Sequence, residues 1–141
     1  MQHALVTGRY DGPLNAVASL ADDLRDKTSE TMRVGLVPPD RRAGREQLIT
    51  FDLRDESTDR PVEDLEPYLG ATGHLLVFSA DMSVVFHSHP VAAVSSRSGP
   101  TVVFQVLFPR PATYRMWAQF QRRGRVSTVP FTTTVVSGDP R

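Results

Sequence analysis

Residues 101–136, TVVFQVLFPRPATYRMWAQFQRRGRVSTVPFTTTVV, decide the fold class. Apolar and polar residues alternate within three runs, 101–108, 112–121 and 125–136, and the short connectors PRP and RRG separate these runs. Alternation with a period of two is typical of β-strands that bury one face. This part of the chain therefore predicts three successive strands joined by tight turns.

The same alternation continues toward the N-terminus as far as Met32. Gly, Pro, Asp and Ser punctuate it, and these residues favour turns. The further candidate strands are MRVGLV (32–37), EQLITFDLRD (46–55), RPVED (60–64), GHLLVFS (73–79) and VVFHSH (84–89). About eight short strands without an intervening helix indicate an antiparallel sandwich or barrel.

Residues 1–31 follow a different pattern. In PLNAVASLADDLRD, residues 13–26, apolar residues recur at helical spacing, and Pro13 suits a first helical turn. We therefore expect an N-terminal extension over 1–31 that is a short helix or irregular, one β-sandwich domain over 32–137, and a tail over 138–141.

The composition excludes several kinds of function. Lys and Arg together number 16, as do Asp and Glu, so no net charge favours nucleic acid or an anionic membrane as a partner. The chain has no cysteine, which excludes disulfides, thiolate zinc sites and blue-copper ligation. No run of about 18 apolar residues is present, so we expect no transmembrane segment. The first 20 residues also lack the pattern of a signal peptide.

Alternation also predicts which side chains of residues 112–121 face the core. One face of this strand carries Tyr114, Met116, Ala118 and Phe120, and we expect it to be buried. Trp117 falls on the opposite, mixed face, where Arg side chains could cover it. Pro130 indicates an edge strand or a bulge, because proline cannot donate a hydrogen bond to a neighbouring strand.

Two of the four histidines occur in VVFHSHP, residues 84–90, as an H-x-H-P motif. A JAMM-type zinc metalloprotease would continue this motif as H-x-H-x7-S-x2-D. Here Arg97 and Pro100 occupy the positions that should carry Ser and Asp. The chain also lacks the helices of such an α/β enzyme and a convincing catalytic base, so this is the least favoured interpretation.

A hairpin interpretation of SADMS, residues 79–83, brings a third histidine to the motif. If Ser79 pairs with Val84, paired residue numbers sum to 163, and His74 lies opposite His89. Parity then places His74, His87 and His89 on one face of the hairpin. Imidazoles at such positions can converge on one metal ion. The alternative is that these histidines are solvated, support the hairpin or bind a partner.

Three weaker metal ligands remain. Met82 lies in the predicted turn, where its thioether would favour Cu(I) if the loop folded over the site. Glu66 precedes the PYLG turn, residues 67–70, and is an outside candidate for ligation. His3 stands at the third position, where an amino terminus, two amides and an imidazole can bind Cu(II) or Ni(II).

The segments PVEDLEPYLGATGHLLVFSADMSVVFHSHP and FPRPATYRMWAQFQRRGRVSTVPF resemble a family of bacterial extracytoplasmic immunoglobulin-like β-sandwich domains. The shared pattern is PYLGAxGHL, then HxHP, then WxQFQ, and it covers about residues 32–136. Such domains are associated with the handling of copper and other heavy metals and are similar in style to YtkA-like and FixH-like domains. Thr72 replaces a methionine of many relatives, which removes a soft ligand, and Ala112 replaces a glycine.

The resemblance implies a periplasmic or extracellular location and assigns the motif histidines to His74, His87 and His89. Together with the strand pattern, it predicts an immunoglobulin-like antiparallel β-sandwich of seven or eight strands. We expect a non-enzymatic domain that binds copper or zinc, with another extracytoplasmic metal-handling protein as its partner. A structural or protein-interaction module without a metal is the alternative.

Overall fold

The computed structural model describes residues 20–91 and 99–138, and these residues form two antiparallel β-sheets without a helix. The strands are β1 (Lys27–Ser29), β2 (Met32–Val37), β3 (Glu46–Asp55), β4 (His74–Ser79), β5 (Val85–Ser88), β6 (Thr101–Leu107), β7 (Ala112–Arg122) and β8 (Arg125–Val135). One sheet has the order β1-β2-β3-β6 and the other β5-β4-β7-β8. The predicted all-β sandwich of seven or eight strands is confirmed.

The strand neighbours are those of the immunoglobulin fold. Strands β2, β3 and β6 correspond to A, B and E, and strands β4, β7 and β8 correspond to C, F and G, while β5 pairs with β4. A tyrosine corner supports this correspondence, because the Tyr114 hydroxyl near the start of β7 donates to the Arg110 carbonyl at 2.8 Å. The fold is therefore immunoglobulin-like in connectivity as well as in layering.

The core lies between the two sheets and follows the predicted alternation. Phe51 of β3 stands at its centre, with ring centroids 5.7 Å from Phe104 in its own sheet. From the opposite sheet, Phe120 lies at 5.6 Å and Phe131 at 5.5 Å. The face of β7 predicted to point inward is fully buried at Tyr114, Met116, Ala118 and Phe120. Phe51 thus packs the two sheets together by burying apolar area.

Two sequence predictions need correction. Residues 60–64 form no strand: Pro61 makes only an isolated bridge to Arg54, although Val62 is fully buried and donates its amide to the Leu53 carbonyl. The chain there crosses from one sheet to the other. The alternating pattern in this segment therefore reflects the burial of Val62 and not pairing along a strand. The sandwich also begins earlier than residue 32, because β1 pairs with β2.

The predicted N-terminal helix over 13–26 does not extend over residues 20–26. These residues contain no helix, and Asp23 exchanges backbone hydrogen bonds with Thr132 of β8 at 2.9 and 3.0 Å. Residues 13–19 lie outside the described part. Pro130 lies in β8, which ends its sheet, so the predicted edge position is confirmed.

Candidate metal centre

The β4–β5 hairpin has the predicted register. The Ser79 amide donates to the Val84 carbonyl at 2.9 Å, and Leu76 pairs with His87. Every pair in this hairpin sums to 163, so His74 and His89 are the next opposed residues beyond Leu75 and Ser88. The three histidines therefore share the outer face of the sheet, near the end of the hairpin that lies away from its turn.

A tight turn covers His74 and removes it from solvent. The Tyr68 and Ala71 backbones exchange hydrogen bonds at 2.8 and 3.1 Å across Leu69 and Gly70, whose φ angles are 49° and 83°. Two successive positive φ angles define a type I′ turn. The Tyr68 ring packs edge-on against the His74 ring at 5.5 Å, and His74 is only 5% exposed. The PYLG segment thus covers His74 and shields it from solvent.

The turn also fixes which ring nitrogen of His74 keeps a lone pair that it can donate to a metal ion. His74 Nε2 lies 2.7 Å from the Tyr68 carbonyl oxygen. A carbonyl oxygen only accepts hydrogen bonds, so Nε2 must carry the proton and donate it. In the neutral ring, Nδ1 then keeps its lone pair, and this nitrogen faces His87 Nε2 at 3.1 Å. Metal-bound histidines in proteins almost always show such a hydrogen bond from the second ring nitrogen.

Gly73 lets the chain enter β4 at this point. A Cβ atom on Gly73 would lie 2.8 and 2.9 Å from ring atoms of Phe120 and 3.2 Å from the Gln119 carbonyl oxygen. Contacts below 3.0 Å are not tolerated without movement of the neighbours. Glycine at this position therefore allows the residue before His74 to lie against the core.

The three imidazoles converge. The His74 and His87 rings are stacked at 5.2 Å, and the His89 ring lies edge-on at 5.0 Å from His74 and 4.7 Å from His87. One nitrogen of each ring lies within 4.8 Å of the other two. Nitrogens bound at about 2.0–2.1 Å to a tetrahedral ion stand about 3.3–3.4 Å apart. Small rotations of the exposed His87 and His89 rings therefore suffice, and the cluster could hold a metal ion.

The surroundings of His87 disfavour its protonated form. Partial burial, followed by repulsion from His89 and from His74, lowers the pKa of His87 below its ordinary value of 6.5. A neutral imidazole is the form that binds metals, because the proton and the ion compete for the same lone pair. The packing of the three rings therefore favours the ligand form of His87 over its protonated form.

Two of the weaker candidates, Glu66 and Met82, do not join the cluster. The Glu66 carboxylate accepts hydrogen bonds from Gln121 Nε2 at 2.8 Å and from the Gly124 amide at 3.0 Å, which lower its pKa. Met82 is 61% exposed in the turn at the other end of the hairpin, with a φ of 60°. His3 lies outside the described residues. Of the five candidate ligands in the described part of the chain, the structure thus gathers three.

An apolar row of side chains adjoins the histidines. Leu76 lies opposite His87 on one side and Trp117 on the other, and Trp117 in turn lies opposite Pro130. The Arg115 guanidinium stands 5.2 Å over the Trp117 ring, as the mixed-face interpretation of β7 predicted. Leu76 remains 41% exposed. This apolar row crosses the sheet beside the site.

One buried polar cluster was missed from the sequence. Arg122 is 5% exposed and reaches Asp55 through Nη1 at 2.7 Å and Asp64 through Nε at 2.6 Å. Hydrogen bonds from Arg122, then Ser57, hold the pKa of the Asp55 carboxyl well below its usual range. Asp55 and Arg122 both continue the inward alternation of their strands, and that parity was the available signal.

The chain belongs to the family "Domain of unknown function (DUF8832)", whose model matches residues 27–137. No curated protein matches the chain. Among solved structures, it is similar to the sensor domain of the anti-sigma factor RsgI4 in Pseudobacteroides cellulosolvens, at 13% identity and a TM-score of 0.41. That likeness covers 78% of this chain and 99% of the other. Within the described residues, no helix has the length and apolarity to cross a membrane.

Proposed function

We propose that this protein is a non-enzymatic, extracytoplasmic domain that binds a transition metal, copper or zinc, through His74, His87 and His89. The observation that carries the proposal is the convergence of three ring nitrogens within 4.8 Å of one another. The hydrogen bond from His74 Nε2 to the Tyr68 carbonyl supports the proposal as well, because it orients the His74 ring before an ion binds.

The ligand chemistry narrows the choice of metal. Imidazole nitrogens suit zinc, copper, nickel and iron, whereas calcium and magnesium prefer oxygen ligands. The chain has no cysteine, and the described methionines lie in the core or, for Met82, in the turn at the other end of the hairpin. Among the described residues the site therefore has no soft donor that would favour Cu(I) over Zn(II) or Cu(II). Zinc is therefore as well suited as copper to this donor set.

We propose a non-enzymatic domain because no catalytic base lies beside the three histidines in the described part of the chain. A metal-dependent hydrolase needs a base beside the ion, such as a glutamate. In the described part of the chain, no carboxylate joins the three histidines, and Glu66 is engaged by Gln121 and Gly124. The extracytoplasmic location is proposed on the motif resemblance alone, and cell fractionation of the native host tests it.

The alternative is a protein-interaction module in which the histidines support a hairpin or contact a partner. Exposed Leu76 and its neighbours Trp117 and Pro130 favour this candidate, because an apolar row on a sheet face can take part in protein contacts. In that case the Leu76→Ala variant would lose partner binding, and partner binding by the parent protein would not depend on added metal.

Calorimetric titration of untagged protein with zinc and with Cu(II) tests the proposal. For zinc we expect one site per chain that His87→Ala weakens by well over tenfold, and His3→Ala serves as the matched control, since it removes one histidine but none of the three ligands. Cu(II) is titrated into the His3→Ala variant, which lacks the N-terminal candidate site. Unchanged affinity in His87→Ala would contradict the proposal. Affinity should also fall as the pH drops through about 6.5, where imidazoles take up protons.

A further inference from the structure

We propose that the metal takes its fourth ligand from another molecule and that this ligand is an anionic donor. The inference rests on the proposed function and concerns the side of the site that faces solvent. It identifies the chemical class of a second ligand of this domain rather than another ion.

The coordination number gives the first step. Zinc in proteins is nearly always bound by four ligands in a tetrahedron, and a site with three protein ligands takes a small molecule in the fourth position. Within residues 20–91 and 99–138, the cluster contains three ligand groups, all of them histidines. Three imidazoles on one hairpin face approach the ion from one side, so the fourth position points away from the sheet.

Burial gives the direction of approach. His74 is 5% exposed beneath the Tyr68–Ala71 turn, whereas His87 and His89 are exposed. Strand β5, which carries His87, ends its sheet in the order β5-β4-β7-β8. Among the described residues, the open side of the site therefore lies over the outer edge of β5, where a ligand can arrive without moving the turn.

Charge gives the class of ligand. Three neutral imidazoles leave the full charge of the ion uncompensated. The residues paired with the histidines across the sheet are uncharged, namely Leu76 opposite His87 and Gln119 opposite His74. An anionic donor gains attraction to the ion that a neutral donor lacks, and the attraction is stronger where protein displaces water. A small free anion and a carboxylate of a second protein copy share this chemistry.

Cobalt(II) provides the test, because its visible absorption reports the ligands directly. The protein is the His3→Ala variant, which removes the N-terminal candidate site, and the added anion is azide at constant ionic strength maintained with perchlorate. We expect azide to change the cobalt spectrum with one-to-one saturation. The cobalt Kd should fall about tenfold when azide is about ten times its own dissociation constant. Adding His87→Ala should abolish both effects.

Sedimentation of the cobalt-loaded protein distinguishes the two sources of the anion. A monomer that binds azide assigns the position to a small free anion, and a dimer that azide dissociates assigns it to a carboxylate of a second copy; either result supports the inference. If cobalt binds but azide changes neither its spectrum nor its affinity, this inference is wrong, and the proposed three-histidine site still stands. Failure to bind cobalt, zinc or copper at all would overturn the proposed function and this inference together.

Discussion

Replacement of Gly70 by valine tests whether the turn over His74 prepares the metal site. Gly70 has a φ of 83°, and a Cβ there would meet no atom within 4 Å, so the variant changes backbone strain without a steric clash. A left-handed conformation costs an L-residue roughly 1–2 kcal/mol, and a β-branched residue adopts it least readily. This strain loosens the turn whose Tyr68 carbonyl accepts the hydrogen bond from His74 Nε2 at 2.7 Å.

Loss of such a hydrogen bond typically weakens metal binding by about 10- to 100-fold. The strain of roughly 1–2 kcal/mol limits the effect to about 5- to 30-fold, so we expect Gly70→Val to lower zinc affinity in calorimetry by a factor of that size. The matched control is Gly44→Val: its φ is 81°, its Cβ also meets nothing within 4 Å, and its amide bonds to Phe108, remote from the histidines. Equal zinc affinity in both variants and the parent protein would refute the argument for the turn.

Three further predictions follow from the packing around the site. Gly73→Ala should destabilise the fold by about 1–3 kcal/mol in urea denaturation, because the new methyl group overlaps the Phe120 ring at 2.8 Å, and a midpoint equal to the parent's would contradict this. Asp55 has a lowered pKa, so its contribution to stability is present above its unfolded pKa of about 3.9 and is lost as the pH falls through the lower folded value. Asp55→Asn should therefore reduce the loss of unfolding free energy at acid pH, measured by urea denaturation across the pH range. An unchanged pH dependence of the unfolding free energy would argue against the Arg122 ion pair. Leu69→Asn should raise the melting temperature slightly, because asparagine tolerates a φ of 49° better than leucine does. Leu69 is 77% exposed, so the substitution loses little buried area. A lower melting temperature would count against the turn assignment.

The strand pattern and the register of the site hairpin could be predicted because both depend on local sequence. A period of two fixes which face each residue takes, and the turn between Ser79 and Val84 fixes the pairing, so the shared face of His74, His87 and His89 followed from parity. Parity also gave the buried face of β7, and it extends to the unpredicted inward position of Arg122.

What could not be predicted depends on tertiary contacts. Parity placed His74 on one hairpin face with His87 and His89, both of which are exposed, yet the Tyr68 turn buries His74. Val62 is buried within a segment that crosses between the sheets, so its alternation predicted a strand where only an isolated bridge forms. Glu66 was a candidate ligand by its position in sequence, but its carboxylate bonds to the β7–β8 turn instead. Each of these outcomes required knowledge of which loop packs on which strand.

Anomalous diffraction at the zinc and copper edges from crystals of metal-loaded protein tests the central claim most directly. We predict one peak per chain about 2.0–2.1 Å from Nδ1 of His74 and from one ring nitrogen each of His87 and His89, with the Tyr68 hydrogen bond to His74 retained. A peak bound elsewhere on the chain, with His74 unligated, would contradict the account.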